Sequence, residues 1–270
     1  MSISPLTTIP SNLPPLLPGY GGAAITAYQL YIIATYHSKE KNSETAMQYS
    51  KFAQTGKVEK RKAMISSQNG MTIIYLPALI ISLSISILGY ANVIPVSPSI
   101  AEIFIILHFL KRQLEVLYLH KYSGKVSVGT STFIGVYYAL ISTLICCVAS
   151  PLPDANSSII GGSLFAIGSA GNFYHHWKLA QLRKGSTPSA KYIAPKGGLF
   201  NYVAAPHYLF ELIAWLGIAI ASEHGNAFLN FVGMVSLLTG RSIGQNKWNR
   251  ERFSVEDWPL DRKNIVPFVF

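Results

Sequence analysis

The residues of this sequence able to do chemistry are polar side chains set at helical spacing inside apolar runs. The stretch 197–215, GGLFNYVAAPHYLFELIAW, joins a glycine pair fit for a tight turn to a proline suited to the first turn of a helix. A helix begun at Pro206 carries Tyr208, Glu211 and Trp215 on one face, at i, i+3 and i+7. A carboxylate at membrane depth is costly unless it faces a cavity or a partner, which makes Glu211 a functional candidate. The alternative is a structural glutamate paired with an arginine or a backbone amide.

A second stripe, His108, Arg112 and Glu115, recurs at i, i+4 and i+7. Lys111 and Arg112 could instead snorkel to an interface with Glu115 as their helical partner, so both roles stay open. A third stripe is Asn172, His176 and Arg183. His175 and His176 invite a metal reading, but adjacent residues diverge by about 100° on a helix. No carboxylate or cysteine sits one turn away, so no metal site is expected. There is no GxGxxG after a strand and no Walker loop, and any dinucleotide must be held in another way. Cys146 and Cys147 lie inside an apolar run and read as packing residues.

The elements that must position these groups are membrane helices. Half of the 270 residues are hydrophobic and only 13% are charged, a balance foreign to soluble domains. The expected fold is all-α, with about seven transmembrane helices in one bundle. Residues 1–19 hold five prolines and no charge, a tail on the non-cytoplasmic side. The spans expected are 20–36, 71–90, 99–122, 126–150, 159–184, 206–222 and 227–240, followed by a basic, aromatic tail; 20–270 form a single domain. With the N-terminus lumenal and the C-terminus cytoplasmic, all 22 lysines and arginines fall on the cytoplasmic side. The net charge of +10 therefore marks a membrane face able to receive a polyanionic cofactor, and not a nucleic-acid surface. No internal repeat supports an inverted-repeat transporter.

Four ordered blocks carry a family resemblance: LHFLKRQLEVLYLHKYSG, GNFYHHWKLAQLRK, GGLFNYVAAPHYLFELIAWLG and EDWPLDRKNIVPFVF. Together they span 107–270 and resemble the steroid 5α-reductase family, whose relatives include the trans-2-enoyl-CoA reductases of fatty-acid elongation. The resemblance implies a multi-pass endoplasmic-reticulum enzyme that uses NADPH to reduce a carbon–carbon double bond conjugated to a carbonyl in an apolar lipid. It implies cofactor positions at Asn172, His176, Arg183, His207, Glu211 and Arg262. A 3-oxo-Δ4 steroid is the substrate expected first; an enoyl-CoA, or sterol binding without catalysis, is the alternative.

Departures from the family pattern sharpen the question of catalysis. Tyr75 stands where steroid reductases carry a glutamate before the Leu-Pro of the second span, and Phe109 stands where a tyrosine is frequent. His207 replaces a common asparagine, and Asn249 replaces an aromatic of the tail. Hydride addition to the β-carbon builds negative charge on the carbonyl oxygen, which a placed donor stabilises. The catalytic candidates are Tyr75, Tyr208, which resembles the proposed proton donor of the enoyl reductases, and Glu211.

Overall fold

The computed structural model describes residues 14–42, 44–47, 63–122, 124–182 and 192–270. Seven helices stand among them, each at a position expected from the hydropathy pattern: α1 (Gly19–Lys41), α2 (Ser67–Tyr90), α3 (Ile100–Leu114), α4 (Val128–Val148), α5 (Ala155–Leu182), α6 (Pro206–Ser222) and α7 (Gly225–Arg250). Of these α2, α4 and α7 are long and apolar enough to cross a bilayer, and α6 is a shorter apolar helix.

Local chemistry explains the boundaries. Ser66 caps α2 by accepting from Asn69 N at 3.2 Å, and Ser99 caps α3 by accepting from Glu102 N at 3.2 Å. Pro206 occupies the first turn of α6, where its missing N–H costs nothing. The end of α6 is set by Glu223, in the left-handed region at φ 52°. Asp154, just before α5, accepts from Asn156 N at 2.8 Å.

Two features differ from the expectation. The seventh helix does not end at 240 but runs to Arg250, because its last turns bury Gln245, Asn246, Trp248 and Asn249 against the tail. Asn246 donates to Arg262 O at 2.9 Å and accepts from Trp258 Nε1 at 2.8 Å. Polar residues there face protein, and read alone they resemble a solvated tail. The other is an antiparallel pair, β1 (Met64–Ser66) with β2 (Lys125–Ser127), in register Ile65 to Val126. It ties the start of α2 to the start of α4.

Helix α3 ends in a π turn over Glu115–Leu119, closed by His120 N donating to Glu115 O at 2.9 Å. The α5–α6 contact confirms the small-residue reading of GGSLFAIGSAGN: a Cβ on Gly161 would lie 2.8 Å from Gly217 O, so the two backbones touch there. Gly197 and Gly198 have φ of +83° and +58°, a turn that L side chains resist. The main core lies among α2, α3, α4, α6 and α7, with Trp215, Phe109, Ile105 and Ile218 fully buried.

Candidate active site

Helices α2, α3, α5 and α6 converge on a buried polar network. Arg112, on α3, donates through Nη2 to the Tyr75 hydroxyl of α2 at 2.7 Å. Its Nη1 pairs with Glu115, and the same atom lies 2.8 Å from His176 Nδ1 of α5. His176 Nδ1 is also 3.0 Å from Glu115 Oε2. That nitrogen holds one proton or none, so it either accepts from Arg112 or donates to Glu115. Lys111 Nζ reaches Glu115 Oε1 at 2.9 Å and Asn172 Oδ1 at 2.5 Å. Asn172 in turn donates to His207 O at 2.9 Å, which joins α5 to the first turn of α6.

Glu211 forms the second half of the site. Its Oε1 lies 3.3 Å from His108 Nε2 and accepts from Trp215 Nε1 at 3.3 Å. The face of α6 read from the sequence is therefore real, and its partner is His108, which that reading did not assign to Glu211. His108 is buried against Phe109 and Trp215. Phe109 is fully buried and packs edge-on to Tyr138, whose ring also stacks on Tyr75 at 5.9 Å. A carbonyl brought to this wall would meet one phenol from α2 and no donor from Phe109.

The remaining candidates divide. Tyr208 is half-buried at the edge of the same core, its ring 4.3 Å from His207, and His207 lies 5.4 Å from His176. Arg183 falls outside the described residues. Arg262 belongs to the tail, which pairs with the segment before α6: Ala204 N donates to Lys263 O at 2.8 Å and Ala205 N to Asn264 O at 3.0 Å. Its guanidinium lies 3.9 Å over the Trp258 ring. Nε and Nη1 of Arg262 are buried and meet no acceptor among the described residues. Burial pulls this guanidinium below its usual pKa. A phosphate is the chemistry that satisfies such a fork, so the residue fits a nucleotide cofactor.

The fold also alters the metal question. Glu115 and His120 come within ligand reach of His176, a carboxylate that helical spacing on α5 did not reveal. Lys111 and Arg112 already neutralise that carboxylate, so the cluster reads as an ion-pair network.

Helices long and apolar enough to cross a bilayer, packed around a buried polar cluster, mark a helical membrane protein. The sequence profile of the family described as 3-oxo-5-alpha-steroid 4-dehydrogenase matches residues 127–270. The chain belongs to that family. It is 35% identical over 111 residues to 3-oxo-5-alpha-steroid 4-dehydrogenase 1 of Rattus norvegicus, covering 41% of each chain. It is 38% identical over 79 residues to a steroid 5-alpha-reductase of Solanum lycopersicum, 29% of this chain and 30% of that one. A putative enoyl-CoA reductase of Trypanosoma brucei brucei is 33% identical over 176 residues, 60% of this chain and 55% of the relative. The matched segments thus cover from under a third to just over half of these relatives' lengths.

Proposed function

We propose that this protein reduces a carbon–carbon double bond conjugated to a carbonyl in a membrane lipid, with NADPH as reductant and a 3-oxo-Δ4 steroid as substrate. The observation that carries the reading is the Tyr75–Arg112 contact of 2.7 Å. With the guanidinium donating to the phenol oxygen, the phenolic hydrogen is left to point at a ligand. It replaces the pair of donors that the resemblance leads one to expect and that Phe109 cannot complete. As charge develops on the steroid oxygen, Tyr75 donates to it, and Arg112 keeps that phenol polarised and fixed in place.

NADPH supplies the hydride when bound. Asn172, His176, His207 and Glu211 surround the place where the polar network meets α6, and the Arg262 guanidinium, whose Nε and Nη1 have no acceptor among the described residues, suits a phosphate. Arg183 adds a second cation in this reading. The protein resides in the endoplasmic-reticulum membrane with its basic loops in the cytoplasm, where NADPH is supplied.

A second reading, reduction of a trans-2-enoyl-CoA, is favoured by the long match to the trypanosomal relative and by Tyr208 beside His207. Membranes carrying the protein are incubated with NADPH and either a 3-oxo-Δ4 steroid or an enoyl-CoA, and products are read by mass spectrometry. A saturated 3-oxo steroid supports the proposal. A saturated acyl-CoA alone moves the assignment to the second reading, and neither product overturns both.

A further inference from the structure

Ten residues before Arg112 on α3, the sequence places a carboxylate that the network does not use. Glu102 is 1% exposed, and among the described residues neither of its oxygens has a hydrogen-bond partner. Ser99-x-x-Glu102 has the spacing of a capping box, in which the glutamate reaches back to the serine amide. Only half of that box is made: Ser99 accepts from Glu102 N, while the carboxylate turns inward. An unpaired buried carboxyl is expensive, so its retention calls for a ligand.

The surroundings say where that ligand lies. Glu102 and Phe109 are seven residues apart and share one face of α3, which puts them about 10 Å apart along the axis. Phe109 is the residue against which Tyr75 and Tyr138 pack. On α4, which packs against α3, the inner face continues from Tyr138 through the buried Ser142 to the buried Cys146. Ser142 is fully buried, and its hydroxyl also has no partner among the described residues. Two helices therefore place unsatisfied polar groups about 6–12 Å beyond the Tyr75 wall, as the helical rise requires. A fused-ring steroid whose ketone meets Tyr75 ends at that depth.

We propose that Glu102, assisted by Ser142, receives a hydroxyl at the far end of the lipid substrate and so sets which steroids the protein accepts. The inference rests on the reading that Tyr75 anchors the ketone. A hydroxyl donates to the carboxylate there, and a substrate lacking the group leaves the carboxylate buried and unpaired. Sites of this kind discriminate strongly against the analogue without the hydroxyl.

The test compares two 3-oxo-Δ4 steroids that differ only in a D-ring hydroxyl, with binding read by ligand-induced thermal stabilisation of the purified full chain and turnover read with NADPH. The native protein should prefer the hydroxylated steroid by about tenfold or more, the range expected for a hydrogen bond to a charged group. Glu102→Leu should abolish or reverse the preference while raising the melting temperature of the unliganded protein, since an orphaned carboxylate is removed. Glu102→Gln should retain part of the preference. An unchanged preference in Glu102→Leu, or weaker binding of both steroids with a lower melting temperature, overturns the inference and marks Glu102 as structural. A Glu102-dependent preference in binding with no reduction of either steroid sustains the receptor and sinks the reductase reading. Reduction without preference does the reverse, and failure to bind either steroid removes both.

Discussion

The two ends of α3 carry the same kind of residue in opposite conditions. At its end, Glu115 is held by Lys111, Arg112 and His176, and every one of these contacts is internal. At its start, Glu102 is as deeply buried and has no partner among the described residues. A saturated network fixes geometry, because each member restrains the next; an unsaturated group stores affinity for something else. Arg262 in the tail resembles Glu102 in this respect, with opposite charge. On the proposed function, the internal bonds at the Glu115 end hold Tyr75 in place, and Glu102 and Arg262 would take up groups of the substrate and cofactor.

The largest effect should come from breaking the saturated end. Arg112→Met removes the bond to Tyr75 and one of the cations on Glu115, leaving Lys111 and His176, and breaking such a buried pair costs up to about 3–5 kcal/mol. The melting temperature in detergent should fall by several degrees and turnover should be lost together with it. A fall no larger than that of a surface substitution would show that the network does not hold the bundle. Removing only the hydroxyl should separate the two effects. Tyr75→Phe keeps the ring that stacks on Tyr138, so folding should change little, whereas kcat on a 3-oxo-Δ4 steroid should fall by about 10² to 10³, the usual loss for one oxyanion donor. If Tyr208→Phe alone produces that loss, and on an enoyl-CoA, the phenol nearer α6 is the donor and the second reading stands.

What was legible in the sequence follows the range of the forces involved. The seven helices could be placed because hydropathy and turn residues act locally, and Tyr208, Glu211 and Trp215 were placed on one face by spacing alone. The partners of that face were not. His108 and Glu211 are 103 positions apart, and Arg112 and His176 are 64 apart, separations at which periodicity carries no information. The stripe His108, Arg112, Glu115 was visible, but whether it met lipid headgroups or protein depended on α5 packing against its end. The last turns of α7 were hidden for the complementary reason: Asn246 and Asn249 look solvated until the tail covers them. The β1–β2 pair, three residues on each strand, is too short to show a period of two. Glu102 went unread because one acidic residue at the head of an apolar run looks like a cap.

A smaller effect should follow from the unsaturated tail. Arg262→Ala removes a guanidinium whose Nε and Nη1 meet no acceptor among the described residues, so little of the bonding seen there is lost with it. The KM for NADPH should rise by about ten- to a hundredfold, as expected for a charge-assisted contact to phosphate, with the KM for lipid nearly unchanged. Equal rises for both would assign Arg262 to docking of the tail on α7. Its stacking on Trp258 makes that alternative concrete.

The smallest effect tests whether an exposed ion pair contributes anything to that docking. Lys196 and Asp257 meet at 2.7 Å, but both side chains are more than half exposed. Water screens their attraction and each side chain gives up rotamer freedom to hold one geometry, so such pairs are worth about 1 kcal/mol at most and less in salt. The tail has stronger ties: the backbone bonds of Lys263 and Asn264 to 202–205, and Trp258, which is 1% exposed and donates to Asn246. Asp257→Ala should therefore leave the melting temperature within about a degree or two of the native value and the KM for NADPH within about twofold, a difference that vanishes at high ionic strength. Trp258→Ala should lower the melting temperature much more, since removal of a fully buried tryptophan costs about 3–5 kcal/mol. If Asp257→Ala raises the KM for NADPH as far as Arg262→Ala does, the exposed pair and not the buried contacts sets the tail against the site, and the division between positioning and recognising groups fails at that end of the molecule.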